Sequence, residues 1–291
     1  HQRQMAEHGV EPIDMVVVNL YPFRETVAKP NVTLEEAVEN IDIGGPTMLR
    51  SAAKNFRFVA VVCNPARYTG ILTEMKANNG ALSEETRRLL ALEAFKHTAQ
   101  YDAAISSWLS RRFISDEGLP PLYLPWLEKV QDLRYGENPH QAAAFYREVG
   151  AGEVGLAGAR QLHGKELSFN NILDTTAALE AARDFAQPTV VIIKHLNPCG
   201  LASAPTLRQA FEDAWSTDPV SAFGSVIGMN RVVDRDTAEI LGNSDYLRDV
   251  IFPRYAEEMG EAQIEALAAF VEVIIAPGYT PEALEILQRK K

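Results

Sequence analysis

The chain has 291 residues, enough for about two domains of ordinary size. Hydrophobic residues make up 46% of it and charged residues 23%, close to the average for soluble globular proteins, which argues against a disordered or fibrous chain. Asp and Glu together number 39 and Lys and Arg 28, so the formal net charge is −11. Because proteins that bind nucleic acid usually carry a basic surface, this balance argues against nucleic acid as a partner.

The cysteines and the first residues indicate the cellular compartment and whether the chain is a fragment. Cys63 and Cys199 allow one disulfide at most, so we expect two free, partly buried thiols in a reducing cytoplasm. No apolar run approaches the roughly 18 residues of a membrane span, and the first residues lack the apolar core of a signal peptide. The chain begins with His1 rather than Met, so we expect it to be a fragment of a longer protein.

Short apolar runs alternate with helical patterns along the chain. Such runs are typical of strands that are buried on both faces, and Thr33 followed by Glu36 predicts a capping box at the start of a helix. In chain order, the patterns predict a strand at 15–18, helices at 33–40 and 46–54, a strand at 58–63, helices at 66–78, 83–112 and 174–186, a strand at 189–193, a helix at 206–215, strands at 225–229 and 271–276, and a helix from 281.

The longest predicted helix, at 83–112, has the charges that helix ends prefer. Glu84 and Glu85 lie in its first turn, and two arginines lie near its end, as the helix dipole favours. One face carries an apolar stripe at helical spacing, formed by Leu90, Ala94, Tyr101, Ile105 and Trp108. The stripe predicts packing along most of the helix, against the core or against a second subunit.

The segment 115–125 is the best candidate for a boundary between two units. It contains Gly118, Pro120, Pro121 and Pro125, which disfavour regular structure. The alternation of strands and helices on both sides of this segment favours two α/β units whose sheets are largely parallel.

The first candidate site surrounds the glycine pair that precedes the helix at 46–54. Gly44 and Gly45 allow a ligand to approach the backbone, and the free amides of a helix start favour an anion. Asp42 precedes the pair, Lys54 lies on the following helix, and Tyr21 follows the first strand. This arrangement predicts a small-anion site with groups for proton transfer. A tight turn beside a solvated basic face is the alternative.

The second candidate site lies at the end of the apolar run 190–193. Lys194 and His195 follow this run directly, where a cation is costly unless it is paired or faces a crevice. Consecutive strand residues point to opposite faces, so both side chains reach one site only if the backbone leaves the strand there. Asn197, Pro198 and Gly200 favour such a turn. The pair therefore predicts a catalytic site, although a lone histidine is more often structural.

Three further polar segments have weaker signals. The segment 134–141 contains Arg134, which can bind a phosphate, and Tyr135, which can stack on a ring. The segment 165–171 is rich in amide groups, and helix capping explains it equally well. The segment 218–225 combines serine and glycine before a strand, which indicates close backbone approach to a ligand or simply close packing.

Zinc and P-loop motifs are missing from the sequence. There is no Cys-x-x-Cys or His-x-Glu pair, which disfavours a zinc-dependent nucleobase deaminase. A P-loop pattern is not present. We therefore predict no metal.

Taken together, these segments resemble the bifunctional AICAR formyltransferase/IMP cyclohydrolase family of purine biosynthesis. Singly each string is weak, but in this order and across nearly the whole chain they are specific. The matching strings are NLYPF (19–23), IDIGG (41–45), AAKN (52–55), RYGENPHQ (134–141), LSFNN (167–171), KHLNPCG (194–200), DPVSAFG (218–224) and VEVIIAP (271–277).

The resemblance implies an α/β fold in two units. Residues 1–118 would form the C-terminal part of a methylglyoxal-synthase-like cyclohydrolase domain, and residues 119–291 the N-terminal part of a cytidine-deaminase-like formyltransferase domain without its zinc. The implied reactions are formyl transfer from 10-formyltetrahydrofolate to AICAR and closure of formyl-AICAR to IMP with loss of water. The resemblance also implies a homodimer, and from the cysteines, the apolar runs and the charge we expect a cytoplasmic protein with no membrane or nucleic-acid partner. The alternative is a catalytically incomplete fragment that acts only in nucleotide binding or dimerisation.

The resemblance also assigns roles to residues of this chain. His195 would take the proton from the amine, and Lys194 would orient His195 or the formyl oxygen. Asp42 would move a proton during ring closure, while Tyr21 and Lys54 would stabilise the developing charge. The residues that match substrate-binding positions are Arg134, Tyr135, Asn171, Ser221, Phe223, Gly224, Glu272, Gly44 and Gly45.

The sequence departs from the family at both ends and in one internal segment. The family begins upstream with phosphate-binding loops and a further catalytic lysine, and it continues well beyond Lys291. The spacer at 241–268 is also longer than the family pattern leads us to expect. Its role is open between a lid, an interface and a loop.

Overall fold

A computed structural model describes residues 2–114, 124–149, 155–242, 244–246, 249 and 270–289. The chain forms two compact units, His1–Trp126 and Leu127–Lys291. Most of the predicted boundary at 115–125 lies outside the described residues, as does most of the 241–268 spacer. Within the described part of the chain, no helix combines the length and the apolar composition that crossing a bilayer requires.

The first unit contains two short strands and six helices among its described residues. Its elements are α1 (Gln2–Glu7), β1 (Met15–Val17), α2 (Phe23–Val27), α3 (Leu34–Glu39), α4 (Gly44–Lys54), β2 (Ala60–Val62), α5 (Tyr68–Ala77) and α6 (Glu84–Phe113). β1 and β2 pair in parallel, with Met15 opposite Ala60. β2 is completely buried, because α4 and α6 pack against it.

The helix starts of this unit confirm the signals in the sequence. Thr33 and Glu36 form the predicted capping box at α3. The hydroxyl of Ser83 accepts the backbone N–H of Thr86 at the start of α6. The apolar stripe of α6 packs on the core, one of the two predicted alternatives, since Leu90 packs with β2 and Tyr101 packs with the cluster around Phe23.

The second unit consists of a hairpin, a four-stranded sheet and five helices among its described residues. Its elements are β3 (Leu127–Leu133), β4 (Ala143–Glu148), α7 (Phe169–Arg183), β5 (Thr189–Lys194), β6 (Asn197–Ser203), α8 (Leu207–Trp215), β7 (Ser225–Met229), α9 (Arg235–Gly242), α10 (Ser244–Tyr246), β8 (Val271–Ile275) and α11 (Pro281–Gln288). The sheet order is β6-β5-β7-β8. The sequence patterns missed β3, β4 and β6.

The expectation of a largely parallel sheet is wrong for this unit. β5 pairs antiparallel with both β6 and β7, and only β7 and β8 run parallel. The reason is local, because after Lys194 the chain folds straight back on itself instead of crossing over through a helix. β5 is nevertheless apolar on both faces. Val191 and Ile193 pack on the α7 side, whereas Val190 and Ile192 pack on the α8 side.

Helix α7 begins five residues before the predicted start at 174. Ser168 and Asn171 form a capping box, in which the Ser168 hydroxyl accepts the Asn171 N–H and Asn171 Oδ1 accepts the Ser168 N–H at 3.1 Å. The amide-rich segment 165–171 therefore includes the start of the helix, as the capping alternative predicted.

Glycines at two helix–sheet contacts allow the helices to approach the strands closely. A Cβ at Gly228 of β7 would collide with the carbonyl oxygen of Ala178 in α7, and one at Gly200 of β6 would collide with the carbonyl oxygen of Ala214 in α8. Because both obstacles are backbone atoms, they cannot move as a flexible side chain could. Close packing here is therefore incompatible with a side chain on either strand position.

We expect Gly228→Ala to lower the free energy of unfolding by about 1–3 kcal/mol or more, as overpacking does. Gly70→Ala is the matched control, because Gly70 lies in α5 with nothing within 4 Å of an added Cβ. Replacing this helical glycine by alanine should raise the free energy of unfolding by roughly 0.5–1 kcal/mol. Thermal or urea unfolding measures both, and equal stability of the two variants would contradict the account.

Candidate active site

The candidate site of the second unit is organised by the turn between β5 and β6. Lys194 pairs with Asn197, so His195 and Leu196 form a two-residue hairpin turn. Their φ angles are +54° and +64°, the left-handed conformation that a type I′ turn requires. The backbone thus leaves the strand directly after Lys194, as the sequence predicted.

Hydrogen bonds fix this turn from two directions. Asp174 of α7 accepts both amides of the turn: Oδ2 lies 3.3 Å from His195 N, and Oδ1 lies 2.8 Å from Leu196 N. The side chain of Asn197 donates to the carbonyl oxygen of His195 at 2.8 Å. The backbone of His195 is therefore held by Asp174 of α7 and by Asn197 of β6.

The side chain of Lys194 is fixed by a hydrogen bond to the segment that precedes β7. Its ammonium donates to the carbonyl oxygen of Phe223 at 2.7 Å. Burial raises the pKa of Asp218, but hydrogen bonds from Ser221 and the nearby charge of Lys194 outweigh it, so the net pKa lies below its usual range. The Ser221 N–H donates to Asp218 at 3.0 Å. Lys194 thus connects the turn His195–Leu196 to the predicted binding segment 218–224.

Two more predicted residues meet across the sheet edge. Asn171 Nδ2 donates to Glu272 Oε2 at 2.5 Å, although 101 positions separate them in the chain. Gly224 adopts a φ of +72°, and its N–H donates to the carbonyl oxygen of Phe270 at 2.8 Å. The rings of Phe223 and Phe270 lie 5.8 Å apart. The starts of β7 and β8 therefore lie beside the start of α7.

A cavity of about 300 Å³ lies at the turn. Its lining residues are Glu137, Asn170, Leu173, Asp174, His195 and Leu196. Glu137 belongs to the segment that also carries Arg134 and Tyr135, whose side chains stack with 5.1 Å between the guanidinium carbon and the ring centre. The cavity thus lies between His195 and the segment with the predicted phosphate-binding arginine.

Chemically, this arrangement offers a base and a fixed cation. The imidazole of His195 is exposed on the turn, and the ammonium of Lys194 is fixed one residue away. A neutral imidazole accepts a proton in the physiological pH range. An imidazole and an ammonium beside a cavity suit reactions in which a proton has to be removed.

The candidate site of the first unit centres on Asp42. Its carboxylate accepts the N–H of Tyr21 at 3.2 Å through Oδ2 and the N–H of Gly45 at 2.7 Å through Oδ1. The Asp42 N–H donates to the hydroxyl of Tyr101 at 2.8 Å, and that hydroxyl donates to the carbonyl of Asn40. The structure therefore brings Tyr21, Asp42 and Gly45 together.

The predicted anion site at this helix start is largely taken up by Asp42. The N–H of Gly45 already donates to that carboxylate, and a Cβ at Gly45 would lie 2.6 Å from Asp42 Oδ2. Because Asp42 already accepts one amide of this helix start, the contact argues against a free phosphate at that amide. The buried glycine is explained instead by close approach of the carboxylate.

Lys54 is not brought to the same place. It lies at the last position of α4, ten residues after Gly44, and is exposed. A helix rises 1.5 Å per residue, so the two positions are separated by about 15 Å along the axis. Lys54 therefore lies at the opposite end of α4 from the Gly45 N–H that Asp42 accepts, and its role in stabilising charge stays a prediction.

Both cysteines are free, as predicted. Burial, with a contribution from Glu93, raises the pKa of Cys63 to about 11. Burial, with a contribution from Asp218, also raises the pKa of Cys199.

Cys63 lines a second cavity of about 420 Å³ together with Asn64, Pro65, Glu93, Lys96, His97 and Gln100. Among the described residues, no group of three or more His, Cys, Asp or Glu side chains is arranged to hold a metal ion.

The raised pKa predicts slow alkylation of Cys63. In a Cys199→Ser variant, Cys63 is the only thiol, and at neutral pH its thiolate fraction should be roughly a hundredfold lower in the folded than in the unfolded protein. Iodoacetamide labelling followed by mass spectrometry measures the rate. The same variant in urea is the control, and equal rates in both conditions would contradict the buried position.

Sequence reasoning predicted only His195 among the six residues that line the first cavity. Asp174 binds backbone amides, which leave no side-chain signature in a sequence. Asn170 and Glu137 were inside the singled-out segments but were not chosen. Helix capping at Ser168 offered one available signal, since it places Asn170, Leu173 and Asp174 within the first two turns of α7.

Family models extend over almost the whole chain. The model of the AICARFT/IMPCHase bienzyme matches residues 52–291, and the model of the MGS-like domain matches residues 1–47. The chain therefore belongs to the AICARFT/IMPCHase bienzyme family. The predicted order, an MGS-like part followed by a formyltransferase part, is confirmed.

Curated relatives belong to the same family and are about twice as long as this chain. The chain is 49% identical to the bifunctional purine biosynthesis protein PurH of Bacillus cereus (strain B4264) and 48% identical to PurH of Bacillus mycoides (strain KBAB4). Each match covers 100% of this chain and 52% of the relative, so the chain spans about half the length of these relatives. A solved structure described as the crystal structure of ForH is 35% identical, covers 38% of this chain and 56% of its own, and has a TM-score of 0.34.

Proposed function

We propose that this chain belongs to a bifunctional enzyme that formylates AICAR and closes the product to IMP. The turn His195–Leu196 carries the proposal, because it presents an imidazole to a cavity between α7 and the segment of Arg134. Support comes from two hydrogen bonds between predicted site residues, one from Lys194 to Phe223 and one from Asn171 to Glu272. The family assignment supports the same pair of reactions.

In the formyl transfer, the 5-amino group of AICAR attacks the formyl carbon of 10-formyltetrahydrofolate, the co-substrate. The new nitrogen–carbon bond forms, the bond to N10 of the folate breaks, and the amine proton passes to His195 and then to N10. Lys194 orients His195 or the formyl oxygen, on which charge develops. Arg134 binds the phosphate of AICAR through its planar guanidinium. Tyr135, Asn171 and Glu272 help to bind the nucleotide, as do Ser221, Phe223 and Gly224.

In the cyclisation, the carboxamide nitrogen of formyl-AICAR attacks the formyl carbon, and water leaves. Asp42 moves the proton, since its carboxylate is held by two amides beside Tyr21. The exposed hydroxyl of Tyr21 stabilises the oxygen that becomes negative. Gly45 serves by allowing the Asp42 carboxylate to approach. The family resemblance gives Lys54, at the last position of α4, the same role of stabilising the developing charge.

The proposal includes a cytoplasmic homodimer with no nucleic-acid or membrane partner. A second candidate is that the 291 residues alone act only as a nucleotide-binding or dimerisation module, and the coverage of half the relatives' length favours it. The test assays both reactions in the complete bienzyme that contains this sequence and in the 291-residue chain. We expect both activities in the former and none in the latter. Absence of both from the complete enzyme would contradict the proposed function, and turnover by the short chain would contradict the second candidate.

A further inference from the structure

The turn that carries His195 is built from residues that do not favour its backbone conformation. Type I′ turns prefer Asn-Gly or Gly-Gly, since both central residues need a positive φ. Here the two positions hold a histidine and a branched leucine, at +54° and +64°. Non-glycine residues in the left-handed region cost of order 1–3 kcal/mol each, so the surrounding structure has to hold them there.

Asp174 supplies this constraint. It is half-buried in the second turn of α7, and each of its carboxylate oxygens accepts one of the two strained amides, at 3.3 and 2.8 Å. An ionised acceptor makes stronger hydrogen bonds than a neutral one. Two amides on one carboxylate also fix the orientation of the turn relative to α7, which one bond could not do.

The same helix positions the other side of the site. Asn171 lies one turn before Asp174 and donates to Glu272, so one rigid element holds both the catalytic turn and a predicted binding residue. A displacement of about 1 Å in a reacting group can cost a hundredfold in rate. The orientation of the turn is therefore important to any chemistry that His195 performs.

We propose that Asp174 is a positioning residue for formyl transfer: by holding the amides of His195 and Leu196, its carboxylate holds the imidazole of His195 in the strained turn. This inference depends on the proposed formyltransferase function. Asp174 acts through the backbone of the turn and makes no bond in the reaction. Replacing the strained leucine by glycine, which adopts a positive φ without cost, should therefore compensate for its loss.

The test uses the complete bienzyme with the variants Asp174→Ala, Asp174→Asn and Asp174→Ala/Leu196→Gly. We expect Asp174→Ala to lower kcat of formyl transfer about ten- to hundredfold, with KM for AICAR changed much less, because the loss falls on the transition state. Asp174→Asn keeps one acceptor oxygen and should lose less. The double variant should recover at least about threefold of the lost kcat, since glycine removes the strain that the carboxylate opposes.

Thermal unfolding of the same variants reports whether the second unit stays folded, since cyclisation belongs to the first unit. Asp184→Asn is the matched control, an exposed carboxylate at the end of the same helix. We expect the cyclisation rate of all variants and the formyl transfer rate of Asp184→Asn to stay at the wild-type value. An unchanged kcat in Asp174→Ala would overturn the inference, as would a loss that Leu196→Gly does not relieve. If the unmodified enzyme transfers no formyl group, the proposed function fails, and this outcome is distinct from a failure of Asp174.

Discussion

Replacing His195 by alanine is expected to lower formyl transfer by about 10²–10⁴-fold, the usual contribution of a general base. The imidazole lies on the turn at the cavity edge, and no other imidazole lines that cavity among the described residues. Cyclisation should remain within about twofold, because the groups around Asp42 belong to the first unit. Coupled assays of the complete bienzyme measure both steps.

Lys194→Ala tests the neighbouring group. Loss of the ammonium also removes its bond to the carbonyl of Phe223, so we expect a fall in kcat and a weaker binding of AICAR. His8→Ala is the control for the histidine substitution, since His8 is exposed in the first unit. Wild-type formyl transfer by a Lys194→Ala/His195→Ala enzyme would contradict the assigned roles.

Replacing Asp42 by alanine should give the opposite selectivity. We expect cyclisation to fall by at least about a hundredfold, because proton transfer of this kind contributes about 10²–10⁴. Formyl transfer should be unchanged. The amides of Tyr21 and Gly45 would also lose their acceptor, which loosens the loop before α4.

Gly45→Ala provides a second route to the same result. Its Cβ would lie 2.6 Å from both Asp42 Oδ2 and Leu20 Cδ2, so the carboxylate would have to move. We expect a smaller loss of cyclisation than in Asp42→Ala. Asp14→Ala, an exposed carboxylate of the same unit, is the control. If Asp42→Ala closed the ring at the normal rate, a proton-transfer role for Asp42 would be excluded.

The position of Lys194 and His195 at the end of a buried strand could be predicted from the sequence, but the topology around them could not. A run of aliphatic residues that ends in Lys194 and His195 has a clear signal, because burying such a pair without a partner is costly. The hairpin was missed because its turn lacks the Asn-Gly pair that usually marks one. Because the pair His195–Leu196 does not resemble a usual hairpin turn, β6 was not recognised and parallel strands were expected.

Other misses have different physical causes. The hydrogen bond between Asn171 and Glu272 joins residues 101 positions apart, so only the folded chain reveals it. β3 and β4 are largely exposed, and nine residues, 134–142, connect them, so neither periodicity nor a short turn marks the hairpin. In the first unit, the capping signals at Thr33 and Ser83 were sufficient because helix caps are local.

The central claim is that an imidazole on a strained hairpin turn accepts the amine proton while the formyl group is transferred. Single-turnover formyl transfer by the His195→Ala enzyme, with and without added imidazole, tests it most directly. The account predicts that free imidazole restores part of the lost rate in this variant and leaves the unmodified enzyme unaffected. Transfer by His195→Ala at the unmodified rate in the absence of imidazole would contradict it.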